Sequence, residues 1–197
     1  ARFVAQEAAA QEIVRALAGA NVPALLLKGI ALATSVYDRP WHRPMGDLDI
    51  AVPPSGFETA RDLLVGKGFA QVEQTDGPAA PRLGLTAHAL TFRNEARRTS
   101  IDLHHNILNC SLWDRADERF WQEARPVRWA ELAPALTLAP EHHLVHACLH
   151  GYSRSVLQLS VRWMLDVHML VSRSPGRFRW ELVEEEGVRQ RCGPLLA

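Results

Sequence analysis

Disulfide pairing, membrane spans and net charge are what this sequence lacks. Its three cysteines, Cys110, Cys148 and Cys192, are odd in number, widely spaced and form no Cys-x-x-Cys pair, which fits a reducing cytosol, and so a cytoplasmic location, better than a disulfide scaffold. No apolar run approaches the roughly 20 residues of a spanning helix, and no charged-then-apolar leader appears, so no membrane partner is expected. With 22 basic and 22 acidic side chains the formal charge is zero. That removes any global attraction to a polyanion and argues against nucleic acid as a partner, leaving at most a local basic groove. Repeats and low-complexity tracts are also lacking. The chain opens without an initiator Met and stops within an apparent helix, so its termini read as trimmed. At 197 residues it suits one mixed domain, or a catalytic core with a smaller helical lobe.

The stretch Arg43-Pro44-Met45-Gly46-Asp47-Leu48-Asp49-Ile50-Ala51-Val52 carries the most information. A strand there puts Asp47 and Asp49 on one face and Leu48, Ile50 and Val52 on the other, because side chains alternate across a strand. Two hard carboxylates side by side suit Mg²⁺ or Mn²⁺. Read in isolation, Asp-x-Asp after a glycine is a pair of turn aspartates. Further along, Ser100 to Ile107 alternates so that Asp102 and His104 share a face, opposite Ile101, Leu103 and His105, which offers a third carboxylate on a neighbouring strand. Such clusters serve two-metal phosphoryl chemistry, with cations about 3.5–4 Å apart. Upstream, the apolar run 24–27 reads as a buried strand running through Lys28-Gly29 into a helix, Ile30 to Tyr37. Free N–H groups at a helix start attract phosphate, glycine permits close approach, and lysine offsets charge.

The remaining punctuation divides the chain. An amphipathic helix is expected over 3–19, a helix from Ser55 to Lys67 closed by Gly68, a strand at 69–73, a Pro-rich loop from Gly77 to Gly84, and a strand pair, His88 to Arg93 and Thr99 to Ile107, around a polar turn. After Leu112 strand alternation disappears, and Trp113 to Gln122, Glu141 to Tyr152, Ser155 to Val171 and Trp180 to Val188 read as helices. The expected class is α+β: an α/β core over 1–108 followed by a C-terminal helical lobe over 109–197.

Leu26-Leu27-Lys28-Gly29, Tyr37, Arg43-Pro44-x-Gly46-Asp47-Leu48-Asp49-Ile50, Gly68-Phe69, His88 and Ile101-Asp102-Leu103-His104, in that order, resemble the uncharacterised bacterial nucleotidyltransferase family, a branch of the DNA polymerase β-like superfamily. His146, His150-Gly151 and Arg162-Trp163-x-x-Asp166 are similar to its C-terminal signature. The resemblance implies a polymerase β-like core, a mixed sheet flanked by helices, with a nucleoside triphosphate (NTP), ATP for example, bound between core and lobe. It implies Asp47, Asp49 and Asp102 as the metal-binding catalytic triad, but neither a particular nucleotide nor a particular acceptor; the zero net charge is what points to a small-molecule or peptide acceptor, attacking the α-phosphorus through a hydroxyl or phosphate. Lys28-Gly29 stands where better-known relatives carry Gly-Ser, so the lysine takes over the phosphates or the donor sits differently. His105 replaces a frequent aromatic.

Lys28, Gly29, Arg43 and His104 are the candidate nucleotide contacts. Arg43 offers a planar fork to a phosphate or a salt bridge to its own loop, and His104 either orients a triad carboxylate, meets phosphate or makes a structural hydrogen bond. Two competing readings have distinct signals. Glu141-His142-His143-x-x-His146-x-Cys148-x-His150 puts His142, His146 and His150 on one helical stripe, the signal for a zinc hydrolase, although the order is not that of metalloproteases. A non-catalytic nucleotide- or partner-binding module of the same fold is the other, and intact Asp47, Asp49 and Asp102 argue against it. Arg162 and Asp166, one turn apart, read as a structural pair, and the six tryptophans as core or loop anchors.

Overall fold

A computed structural model describes residues 2–72, 89–108, 118–127, 129–132, 134–158, 161–173 and 178–190. They form two compact units, residues 1–110 with 126–137, and residues 111–125 with 138–197. The expected His88, the loop from Gly77 to Gly84, Cys110, Cys192 and the first half of the helix read over 113–122 lie outside the described residues.

The first unit is built on strands that the apolar runs dictate. Helix α1 (Arg2–Gly19) is followed by β1 (Leu25–Leu27), α2 (Lys28–Ser35), β2 (Leu48–Ala51), α3 (Phe57–Gly66), β3 (Ala70–Gln71), β4 (Ala89–Asn94) and β5 (Thr99–His104). Two short strands, β6 (Arg125–Pro126) and β7 (Leu136–Thr137), complete a mixed sheet of order β3-β4-β5-β2-β1-β7-β6. Strand β1 is antiparallel to β2 and parallel to β7, β2 is parallel to β5, and β4 is antiparallel to both β3 and β5.

One face of this sheet is dry. Leu48, Ile50, Ile101, Leu103 and Phe92 join Ile13, Val14 and Leu17 of α1 and Ala60 and Leu64 of α3 in a single core, and each fully buried large aliphatic there is worth about 1.5–3 kcal/mol. Alternation sends Asp49, Asp102, His104 and Thr91 to the other face. The sheet therefore separates hydrophobic packing from polar chemistry, as the alternating runs require.

Three expectations need correction. Strands β6 and β7 lie in the region where none was expected; two residues are too few for alternation to register. Helix α5 runs without interruption from Pro140 to Gln158, past the break expected between Tyr152 and Ser155, with Pro140 at its first position where the missing N–H costs nothing. Asp47 sits in the bend before β2 rather than on the strand, which begins at Leu48.

The second unit is helical, as expected: α4 (Glu118–Gln122), α5, α6 (Arg162–Arg173) and α7 (Trp180–Arg189). A small core of Leu144, Val145 and Val183 is flanked by Val167, Val171 and Phe178. Helices α5 and α6 meet so closely at Gly151 that a Cβ there would lie 2.2 Å from Trp163 Cγ; only glycine admits the indole. Among the described residues no helix is long and apolar enough to cross a membrane.

Candidate active site

The polar face is assembled by register. In the β1–β2 pair Leu27 stands opposite Asp49, and the next residue, Lys28, passes straight into α2 with a φ of +47°. That left-handed conformation costs a non-glycine residue on the order of 1–3 kcal/mol and persists only where surrounding contacts enforce it. Here the contact is ionic: Lys28 Nζ donates to Asp49 Oδ1 at 2.5 Å.

On the other side of β2, the parallel pairing with β5 sets Asp49 beside Asp102 and Ala51 beside His104. His104 Nε2 approaches Asp49 Oδ1 to 3.0 Å, and the imidazole is fully buried. One strand further out, Thr91 faces Asp102 in the β4–β5 register, and its hydroxyl donates to Asp102 Oδ1 at 2.8 Å. Asp49 is only 3% exposed. Burial alone would raise its carboxyl, but the Lys28 charge and the His104 hydrogen bond outweigh that and hold it well below the usual carboxylate range. Asp49 is thus an anion inside the protein rather than a carboxylate turned into open solvent.

Ligand atoms of Asp49, Asp102 and His104 all lie within 4.8 Å of one another. Two carboxylate oxygens and an imidazole nitrogen form a donor set that a divalent cation of the Mg²⁺ or Mn²⁺ type accepts. The set fits on chemistry, and Asp49 Oδ1 already carries the Lys28 ammonium. Among the described residues this is the group of acidic and histidine side chains that converges tightly enough to hold a metal. It does not include Asp47, half-buried one residue before β2, nor His142, His146 or His150. On α5 those histidines pack instead: His142 lies against Phe120 with centroids 4.6 Å apart, and His146 stacks on His150 at 6.0 Å. Glu141 accepts the Arg179 backbone N–H at 3.1 Å and so caps α7.

Gly29 has a structural explanation. A Cβ there would fall 2.9 Å from Met45 Cβ, so glycine lets the 43–45 loop close over the start of α2. Arg43 is buried in that loop and donates from Nη1 to Pro44 O at 2.6 Å. His105 follows the end of β5 and packs edge-on against Phe57 with centroids 5.2 Å apart, an aromatic contact that suits the aromatic the resemblance expects there. The sequence pointed to Asp49, Asp102 and His104 as neighbours, and they are. It missed Thr91, whose hydroxyl sits between Leu90 and Phe92 in an otherwise ordinary alternating strand.

The whole chain, residues 1–197, matches the family described as uncharacterised nucleotidyltransferase. The protein belongs to that enzyme family. Its fold is also that of solved nucleotidyltransferases. The crystal structure of ANT(2'')-Ia in complex with adenylyl-2''-tobramycin is 13% identical, with 94% of this chain and 97% of that one covered at a TM-score of 0.62. The solution structure of the same antibiotic-resistance factor is 14% identical, with coverage of 98% and 95% and a TM-score of 0.61. A nucleotidyltransferase-like protein from Paracoccidioides brasiliensis is 14% identical, with coverage of 97% and 91% and a TM-score of 0.53. At these identities the likeness is one of fold. No curated protein matches the chain in sequence.

Proposed function

We propose that this protein transfers a nucleoside monophosphate from an NTP to an acceptor hydroxyl of a small molecule, with pyrophosphate leaving and Mg²⁺ or Mn²⁺ required. One observation carries this reading: Asp49 and Asp102 stand side by side on the polar face of the sheet, with Lys28 and the start of α2 immediately adjoining. When bound, a divalent cation polarises the α-phosphate and offsets the negative charge that develops during in-line displacement.

The chain's own residues do the rest. Asp49 and Asp102 hold the cation, and Asp47, at the mouth of β2, completes the acidic triad. His104 fixes the Asp49 carboxylate by its hydrogen bond, and the Thr91 hydroxyl fixes Asp102. Asp102 lies on the outer side of β2, toward β4, and accepts the proton of the attacking hydroxyl. Lys28 and the N–H groups of the first turn of α2 receive the phosphates, while Arg43 braces the loop at the edge of that site. The zero net charge favours a small acceptor over a nucleic acid, and ANT(2'')-Ia holds an adenylylated small molecule on the same fold. A phosphate or peptide acceptor fits the same chemistry.

The test is a thermal-shift screen of the four NTPs with and without Mg²⁺ or Mn²⁺, because a ligand that binds the native state alone raises its apparent stability. The expected result is stabilisation by at least one NTP that depends on the metal and is absent in Asp49→Asn. Stabilisation by none of them would overturn the donor assignment. Release of pyrophosphate across acceptor panels then identifies the acceptor class.

A further inference from the structure

The chain contains two lysines, Lys28 and Lys67, among 22 basic side chains; every other cation is an arginine. Lys67 pairs with Glu12 at 3.0 Å near the surface. Lys28 instead reaches the buried Asp49. The difference between the two basic side chains is chemical. Arginine locks a carboxylate in a planar two-point fork, whereas the lysine ammonium is a compact point charge on a flexible stem that can leave one anion for another.

We infer that Lys28 is the resident counter-ion of Asp49 in the metal-free protein, exchanged for the divalent cation on binding and so freed for the triphosphate. This rests on the proposed metal and NTP site and adds to it a coupling between the two ligands. Three observations converge. Asp49 is 3% exposed, so water cannot neutralise it and a cation must. Lys28 Nζ occupies Oδ1, the same oxygen that His104 contacts. Lys28 itself keeps 15% of its side chain exposed, so it is not sealed against Asp49.

A dication on Oδ1 would lie within about 5 Å of an unmoved ammonium, given metal–oxygen distances near 2.1 Å, and like charges that close repel strongly where solvent is scarce. Metal alone must therefore displace Lys28 with no new partner for it. Metal with triphosphate gives the ammonium three anionic groups in exchange. The two ligands bind cooperatively, and the empty protein resists loading with metal alone.

The experiment measures Mn²⁺ affinity by calorimetry for wild type and Lys28→Met, each with and without α,β-methylene-ATP. The expected wild-type protein binds Mn²⁺ weakly alone and at least about fivefold more tightly with the analogue, within the usual range of coupling between sites. Lys28→Met is expected to bind Mn²⁺ alone more tightly than wild type and to lose most of the enhancement. Equal or weaker binding of Mn²⁺ alone by Lys28→Met overturns the exchange while leaving the metal site standing. Absence of Mn²⁺ binding in both proteins under all conditions overturns the site itself. Since loss of Lys28 threatens folding, a second readout uses wild type only: amine-reactive labelling followed by mass spectrometry, with Lys67 as internal reference. Mn²⁺ alone is expected to increase labelling of Lys28, and the analogue added on top to suppress it. Labelling that tracks Lys67 throughout overturns the exchange.

Discussion

Thr91 and Asp102 face each other across β4 and β5, and the Thr91 hydroxyl holds Asp102 Oδ1 at 2.8 Å. A carboxylate tethered by one oxygen keeps its second oxygen aimed in one direction. This is how a sheet converts register into preorganisation: the donor is on a rigid strand, not on a loop, so the geometry exists before any ligand arrives.

Asp102→Asn is expected to lower turnover by about 100-fold or more with a much smaller loss of NTP affinity, because Asp47 and Asp49 still hold a cation with the triphosphate, whereas the acceptance of the attacking hydroxyl's proton belongs to the transition state. Thr91→Val should reproduce part of that loss, and Thr91→Ser should restore it. Steady-state kinetics with a separate binding titration distinguish these outcomes from a purely structural role, which predicts lower stability and near-normal turnover per folded molecule.

Asp49→Asn should abolish metal-dependent stabilisation by nucleotide and also lower stability by about 1–3 kcal/mol in the absence of ligand. The second effect follows from burial: the change removes the charge that Lys28 and His104 surround, and breaking one side of a buried pair is costly. Denaturant midpoints in EDTA measure it. A variant as stable as wild type would show that the pair contributes nothing to the resting fold.

Gly29→Ala is expected to destabilise by about 1–3 kcal/mol, since the new Cβ meets Met45 Cβ at 2.9 Å and neither atom is the flexible end of a side chain. Combining it with Met45→Gly, which deletes the clashing atom, should give a double mutant more stable than the two single effects predict. Strict additivity would mean that Gly29 is needed for something other than this contact.

The helical unit has its own pH signature. His143 on α5 is fully buried, and burial, with His142 beside it, pushes its imidazole down to about 3 from an ordinary 6.5. Burial lowers His142 as well. Between those two values the unfolded chain binds a proton that the folded chain refuses, so stability is complete above pH 6.5 and falls as the pH drops below it. The slope for His143 is about 1.4 kcal/mol per pH unit, or about 2 kcal/mol between neutrality and pH 5. Urea denaturation across that window, with His143→Leu as comparison, tests it: the variant should show a shallower dependence, and an unchanged slope would assign the effect elsewhere.

Much of this was legible in the residues because alternation and punctuation are local. Leu48, Ile50, Ile101 and Leu103 announce a sheet face that packs on a core, and Asp49, Asp102 and His104 necessarily take the other. Gly29 was legible only as a small residue at a helix start; that Met45 fills the space it leaves required the fold. The histidines of α5 looked like ligands because they recur every fourth residue, yet ring stacking and burial satisfy that period equally well.

What the sequence by itself determined is therefore the α+β division, the buried strands and the family, all of which follow from periodic patterns and motif order within the chain. Tertiary structure alone decided that β7 returns to pair with β1, that Thr91 and not another residue meets Asp102, and that Lys28 lies on Asp49. Strand register sets those contacts, and register is a relation between segments 11 to 111 residues apart, fixed by how the faces bury together rather than by any local preference.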